Sequence, residues 1–448
     1  MASKSHKLNL YTAVSIVISS MIGTGIFTSL GLQVAGLPSV FSILVLWIIG
    51  GLVAICGALN YGELAVAFPR SGGEYNYLSI LYHPLLGFLS AFVSAIVGFA
   101  APAAISSMAF SYYFHTATGI NATVLVACSV LVFLTISHSF HLKWSSILQN
   151  ISTTLNLLLI IFFIVAGLIK GPNAQFSFTT TPAEIKMLFS EPFAVSLVYV
   201  YFAYTGWNSA IYIASEISRP EKNLSRSLLY ATLLVMALYL LLNFIFLYVT
   251  PINDLRGKID IGFICAHAIF GLAGGKIISL IICVALLSSV SSYLFFGPRV
   301  LQVLGEDYTP LHWLTYKNKH GLPIIALFVQ SAMALAMILT SSFDAILNVT
   351  SIVLSLFTAF TVAGVFILRS KKEQYRSKFK AVGYPLTGIF FLLVEVWMIY
   401  YTMKVKTTES LIGISLLSIG VILYFLLANK RTQKASTINQ EITINSGA

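Results

Sequence analysis

Apolar residues along this chain recur in runs of roughly 18 to 25 residues, longer than a buried strand or an ordinary core helix requires. Twelve runs are legible: 8–30, 40–68, 84–113, 121–138, 150–170, 192–216, 226–250, 275–303, 322–341, 345–368, 383–403 and 408–428. At about 1.5 Å of rise per residue, each can carry a helix across a hydrocarbon layer about 30 Å thick. The short alternating segments of a membrane β-barrel do not occur. The pattern predicts an all-α polytopic membrane protein with twelve transmembrane helices. The first run follows Lys4 and Lys7 like the core of a signal peptide. It has no A-x-A-like cleavage site and outlasts the usual apolar region of such a peptide, so it is read as a retained span.

Two runs carry a polar, glycine-containing break near their middles: GTGIF at 23–27 in the first and FAYTGWN at 202–208 in the sixth. They lie five runs apart, and the third and eighth runs, also five apart, are among the longest. Matching interruptions in two halves point to an inverted repeat with a binding site between them. The expected division is 1–170 (helices 1–5), 192–368 (helices 6–10) and 383–428 (helices 11 and 12), with a polar, disordered cytoplasmic tail at 429–448.

An unwound turn exposes backbone N–H and C=O groups that hydrocarbon does not tolerate but a polar cavity does. A half-helix that restarts after the break aims free N–H groups and the positive end of its dipole at a carboxylate. Carbonyls that end the preceding half-helix suit an ammonium. The two groups of an α-amino acid fit that pair. Gly-Thr-Gly by itself serves equally well to let two helices approach closely; the second break is what favours a site.

Charged residues make up 9% of the chain and hydrophobic ones 58%, against about 25% charged in a soluble domain. The net charge of +11 reflects topology, not nucleic-acid binding. With the N-terminus inside, nineteen Lys and Arg fall on inner segments and seven on outer ones, which orients both termini to the cytoplasm. Cys56, Cys128, Cys265 and Cys283 lie in or beside apolar runs without a C-x-x-C pair, so they are read as packing residues. No cofactor or metal site is expected. A membrane-embedded enzyme would need converging histidines, carboxylates or a metal cluster, and no such spacing occurs.

MIGTGIF (21–27), YGELAVAFPRSGGEYNYL (61–78), FAYTGWN (202–208) and ASEISRPEKNLSRSL (214–228) together resemble the amino acid permeases of the amino acid–polyamine–organocation superfamily. The likeness is to the L-type amino acid transporter family and its bacterial relatives, and it covers spans 1–10 in order and spacing. It implies a leucine-transporter-like 5+5 inverted repeat plus two C-terminal helices, with helices 1 and 6 unwound at mid-membrane, and transport of amino acids by alternating access. By the resemblance, the Thr24 and Gly25 amides and the Thr24 hydroxyl hold the substrate carboxylate. The carbonyls of Met21, Phe202 and Thr205 hold the amine, Gly23, Ile26 and Ala203 complete the lining, and the Phe202 ring covers the substrate from outside. Trp207 and Asn208 support the second break, and PRSGGEY (69–75) is gate-adjacent structure.

The breaks contain no Asp or Glu, so the expected substrate is a neutral amino acid; a cationic amino acid or polyamine would need a counter-ion there. Thr205 occupies a position where L-type relatives often have a smaller residue, which predicts a small or medium side chain. Position 156, commonly lysine in sodium-independent relatives, is Asn156. Ser288, Ser289, Ser291 and Ser292 fall where sodium-coupled relatives place hydroxyl ligands. Glu395 is an intramembrane acid able to carry a proton, with snorkelling or a dimer contact as the alternatives; Glu63, Glu216 and Asp344 are read as structural. The loop HTATGIN (115–121) lacks the cysteine by which animal relatives pair with a glycoprotein, so no disulfide-linked heavy chain is expected. The expectation is a self-sufficient prokaryotic inner-membrane permease, monomer or weak homodimer, working by sodium-independent exchange or proton-coupled uptake. A polyamine or cationic amino acid antiporter and a transport-inactive sensor are the alternatives.

Overall fold

The computed structural model describes residues 7–68, 72–140, 142–178, 180–318, 321–370 and 377–428, with the side chains of 142–153 and of 215 outside that description. The tail at 429–448 and residues 69–71 of PRSGGEY also lie outside it. The helices are α1 Leu10–Met21, α2 Thr24–Thr28, α3 Leu30–Gly36, α4 Val40–Ala67, α5 Glu74–Leu81, α6 Pro84–Val93, α7 Ala101–Thr118, α8 Thr123–Phe140 and α9 Leu142–Lys170. They continue as α10 Pro182–Met187, α11 Glu191–Tyr204, α12 Pro220–Val249, α13 Ile252–Leu255, α14 Ile261–Asp307, α15 Ile324–Thr340, α16 Phe343–Ser370, α17 Leu386–Val405 and α18 Thr407–Ala428. Among the described residues the only extended pairing is two isolated bridges, Leu8 with Ile217 and Lys317 with Pro323.

Nine helical segments among the described residues are long and apolar enough to cross a membrane, with Thr154–Lys170 and Ile324–Thr340 as shorter apolar helices. The chain is an integral membrane protein of polytopic, all-helical design. Most expected boundaries agree with the helices within a few residues. Three do not. The sixth run is α-helical only to Tyr204. The fifth starts early, at Leu142. The seventh starts early, at Pro220; the eighth agrees, because the ladder Ile261–Asp307 is broken by a kink at Gly271 (φ 73°, ψ −177°) and its second segment starts beside the expected 275. Between α6 and α7 the ladder widens into a π-helical turn over Ser94–Ala100.

Several buried polar groups are matched where helices cross. Trp47 on α4 donates to Gln33 of α3 at 2.8 Å. Its ring packs with Tyr204 of α11 and Tyr239 of α12, at centroid distances of 5.8 and 5.6 Å. At the far end of α4, Glu63 takes Arg369 of α16 through two hydrogen bonds of 2.8 and 2.7 Å, and its Oε2 also accepts the Ala381 amide at 2.7 Å. Asp344 receives Tyr199 at 2.8 Å and Lys406 at 2.7 Å. Both carboxylates tie helix ends together.

Candidate functional site

The first break is a two-residue gap. α1 stops at Met21, Ile22 (φ −77°, ψ 97°) and Gly23 (φ −143°, ψ −142°) are non-helical, and α2 restarts at Thr24. No side chain caps this restart, so the first amides of α2 have no partner within their own helix. Ser29 keeps right-handed helical geometry, and α2 runs on into α3.

The second break follows Tyr204. Thr205 turns to ψ 149°, Gly206 takes φ 98°, and the chain resumes as a 3-10 segment over Ser209–Glu216. The two breaks face each other at van der Waals contact. A Cβ on Gly206 would lie 2.3 Å from the Ser20 carbonyl oxygen, and one on Gly25 would lie 2.5 Å from the Ala203 Cα. No side chain fits at either point, and Gly206 also needs its left-handed φ. Gly23 is different: its Cβ would meet only the Ser289 hydroxyl, at an ordinary 3.5 Å. The close-approach reading thus accounts for Gly25, and Gly23 is left to the break itself.

Each expected site residue has a definite place. The Met21 carbonyl accepts the Tyr239 hydroxyl at 2.7 Å. The Thr24 hydroxyl pairs with Ser106 of α7 at 2.5 Å. The Phe202 carbonyl accepts both the amide and the hydroxyl of Thr205, at 3.1 and 2.7 Å. Ile26, Phe202 and Ala203 are buried. Trp207 stands edge-on to Tyr61 with centroids 4.7 Å apart, and Asn208 donates to Glu74 at 3.1 Å.

Asn156 is buried on α9. On α14, Ser289 faces Gly23, Ser291 pairs with His138 of α8 at 2.7 Å, and Ser292 bonds back to the Ser288 carbonyl at 2.8 Å. Glu395 is 1% exposed and lines a small cavity with Gly50, Tyr201 and Trp207. That burial within the chain rules out snorkelling and a dimer contact for Glu395. No group of three His, Cys, Asp or Glu able to hold a metal occurs among the described residues.

Tyr239 and Ser106 escaped the sequence reading; Tyr61 and Glu74 lay within the quoted motifs, Glu74 in the gate-adjacent PRSGGEY, but without a partner at the break. Glu74 opens α5, outside the membrane-spanning helices. Its Oε1 accepts Tyr61 at 2.6 Å as well as Asn208. Burial pushes its carboxyl up to about 7, against the opposing pull of those two hydrogen bonds. An unfolded chain releases the proton near 4.5. Between those values the folded state holds a proton that the unfolded state lacks, so stability falls as pH rises through the window. The resulting stabilisation is complete below about 4.5 and gone above about 7. Thermal unfolding in detergent is therefore expected to show a drop in Tm between pH 5 and pH 8 that Glu74→Gln removes.

Two interrupted helices that meet inside a polytopic helical protein point to a transporter's binding site. The comparisons make the class specific: the chain matches the amino acid permease family over residues 8–426 and belongs to it. It is 27% identical to the large neutral amino acids transporter small subunit 2 of Mus musculus, over 94% of this chain and 80% of that protein. It is 25% identical to the b(0,+)-type amino acid transporter 1 of Homo sapiens, over 99% of this chain and 92% of that one. It is 27% identical to the serine/threonine exchanger SteT of Bacillus subtilis, over 86% and 90%. The chain is a permease and not an enzyme.

Proposed function

We propose that this permease moves neutral L-amino acids of small to medium side chain by alternating access, through sodium-independent exchange or proton-coupled uptake. The observation that carries this reading is the contact between the two breaks, Gly25 on Ala203 and Gly206 on Ser20. Backbone groups there can serve both ends of an α-amino acid, and no acidic side chain lies within either break. Glu74, a carboxylate that reaches the second break, has its Oε1 engaged by Tyr61 and Asn208. The relatives' names, one for large neutral amino acids and one for serine and threonine, support a neutral substrate.

In this reading the chain has twelve crossings, with both termini cytoplasmic in a prokaryotic inner membrane. Residues 1–170 and 192–368 form the inverted repeat, and 383–428 adds two helices. The Thr24 and Gly25 amides take the carboxylate. Substrate amine competes for the Met21, Phe202 and Thr205 carbonyls, which requires the Tyr239 and Thr205 hydroxyls to turn aside. No disulfide-linked heavy chain is required.

Purified protein in liposomes provides the test. Labelled alanine is offered to vesicles empty or preloaded with unlabelled alanine, without sodium or a pH gradient. Faster uptake into preloaded vesicles is the expected result. Absence of flux for alanine, serine, threonine and valine alike would sink the reading and favour a transport-inactive sensor. Thr205→Gly is expected to widen the range, so that phenylalanine and tryptophan compete with alanine uptake several times better than in wild type; an unchanged competition profile removes Thr205 as the size filter.

A further inference from the structure

Glu74 joins the second break to a segment outside the membrane-spanning helices. The residue is 4% exposed, and three parts of the chain meet there. Tyr61 comes from α4, Asn208 from the second break, and Glu74 itself from α5, which packs against α6 and α16. The contact extends beyond one hydrogen bond. Gly73, just before Glu74, has φ 53°, and a Cβ there would lie 2.9 Å from both the Ile211 Cδ1 and the Tyr212 ring. The start of α5 is thus pressed onto the 3-10 segment that continues the second break.

Among the described residues, the groups that feel the charge of Glu74 are the neutral hydroxyls of Tyr61, Tyr77, Tyr201 and Tyr212, which come from α4, α5, α11 and the 3-10 segment. No Lys, Arg or His pairs with Glu74 among the described residues. A buried carboxylate without a cation is costly, and neutralisation is the usual remedy. The acid form suits the geometry: with the proton on Oε2, Oε1 still accepts both Tyr61 and Asn208.

We propose that Glu74 is the proton-carrying residue of this transporter. It takes up a proton as the segment after the second break closes onto α5, and returns it to water when that segment swings away. Chemically the step is carboxylate plus proton giving carboxylic acid, and its reverse, with no other bond made or broken. Exposed to water, the group returns to the ordinary carboxylate range, where it is ionised at neutral pH. The packed state therefore binds one proton that the opened state releases, and pH biases the equilibrium between them. This role rests on the transport reading above and narrows its mechanism to proton coupling. The burial-driven rise to about 7 adds to the geometric case.

Two measurements test it. The first needs no substrate. Trp207 packs on Tyr61, which holds Glu74, so tryptophan fluorescence of the purified full chain should titrate. The expected midpoint is about 7; Glu74→Gln should abolish the titration, and Trp207→Phe should lose the signal. Asn208→Asp should raise the midpoint by about one pH unit through like-charge repulsion, an effect that a purely structural role does not produce. The Asn208→Asp comparison stands if Glu74→Gln fails to fold. The second is alanine uptake into liposomes under an inward proton gradient, where the gradient should stimulate wild type and leave Glu74→Gln unaffected. A titration that survives Glu74→Gln, a midpoint unmoved by Asn208→Asp, or a gradient response retained without the acid would each overturn the proposal. Amino acid flux with no titration rejects Glu74 and leaves the transport reading standing. Absence of all amino acid flux rejects that reading and the coupling role with it.

Discussion

Gly206→Ala is expected to cut alanine exchange more than tenfold while the protein stays folded. Gly206 holds φ 98°, where a Cβ would lie 2.3 Å from the Ser20 carbonyl oxygen and 2.6 Å from its carbon. A side chain in left-handed geometry costs roughly 1–2 kcal/mol, and about 1.4 kcal/mol is already tenfold in rate. The obstacle here is backbone, which cannot turn aside as a side chain does. The two breaks must therefore separate, and the backbone groups assigned to the substrate separate with them. Gly257→Ala is the control, because Gly257 has φ 69° with nothing within 4 Å of an added Cβ. That variant carries the dihedral strain without the collision and should lose a little stability and no transport. Initial rates of exchange in liposomes and melting curves in detergent separate the two. Equal rates for the two variants would detach the contact between the breaks from transport.

Glu63→Ala is expected to be the most destabilising single truncation at the helix ends, by about 2–3 kcal/mol. Removing one partner from a buried pair leaves the other charge uncompensated, at about 3–5 kcal/mol when both are fully buried. Here Glu63 is 3% exposed and Arg369 25%, so water recovers part of the cost. The Ala381 amide loses its acceptor as well. Arg369 would keep its stacking over the Tyr384 ring, 3.7 Å from the centroid. The double variant Glu63→Ala/Arg369→Met should melt at a higher temperature than the sum of the single changes implies, because it buries no unpaired charge. Strict additivity would mean the pair contributes nothing as a pair.

The helices and their approximate limits were legible along the chain because membrane crossing imposes a length that composition alone can satisfy. The breaks were legible too, since GTGIF and FAYTGWN place glycine and hydroxyl residues inside runs that need neither for packing. The short segment 261–270 was not legible: it precedes the kink at Gly271 and folds back, so that Gly275 packs against Phe263 and His267.

The backbone partners at the breaks could not be read in advance. Met21 and Tyr239 are joined across 218 positions of sequence, Thr24 and Ser106 across 82, and Asn208 and Glu74 across 134. A hydroxyl or a carboxyl has no periodicity that betrays its partner. Glu395 shows the same limit from the other side: its place in an apolar run was plain, but whether it faced lipid or protein depended on how α17 rotates against α4 and α11.

By itself, then, the sequence determined that the chain lives in a membrane, that it crosses many times as helices, and that two of its apolar runs carry polar, glycine-containing breaks. These are properties of local composition, set by the price of exposing backbone and charge to hydrocarbon. Tertiary structure alone decided that Gly206 meets Ser20, that Ser289 faces Gly23 while Ser291 faces His138, and that Glu74 closes onto Asn208. Those are contacts between distant segments, and only the packed arrangement of helices fixes which buried polar groups meet.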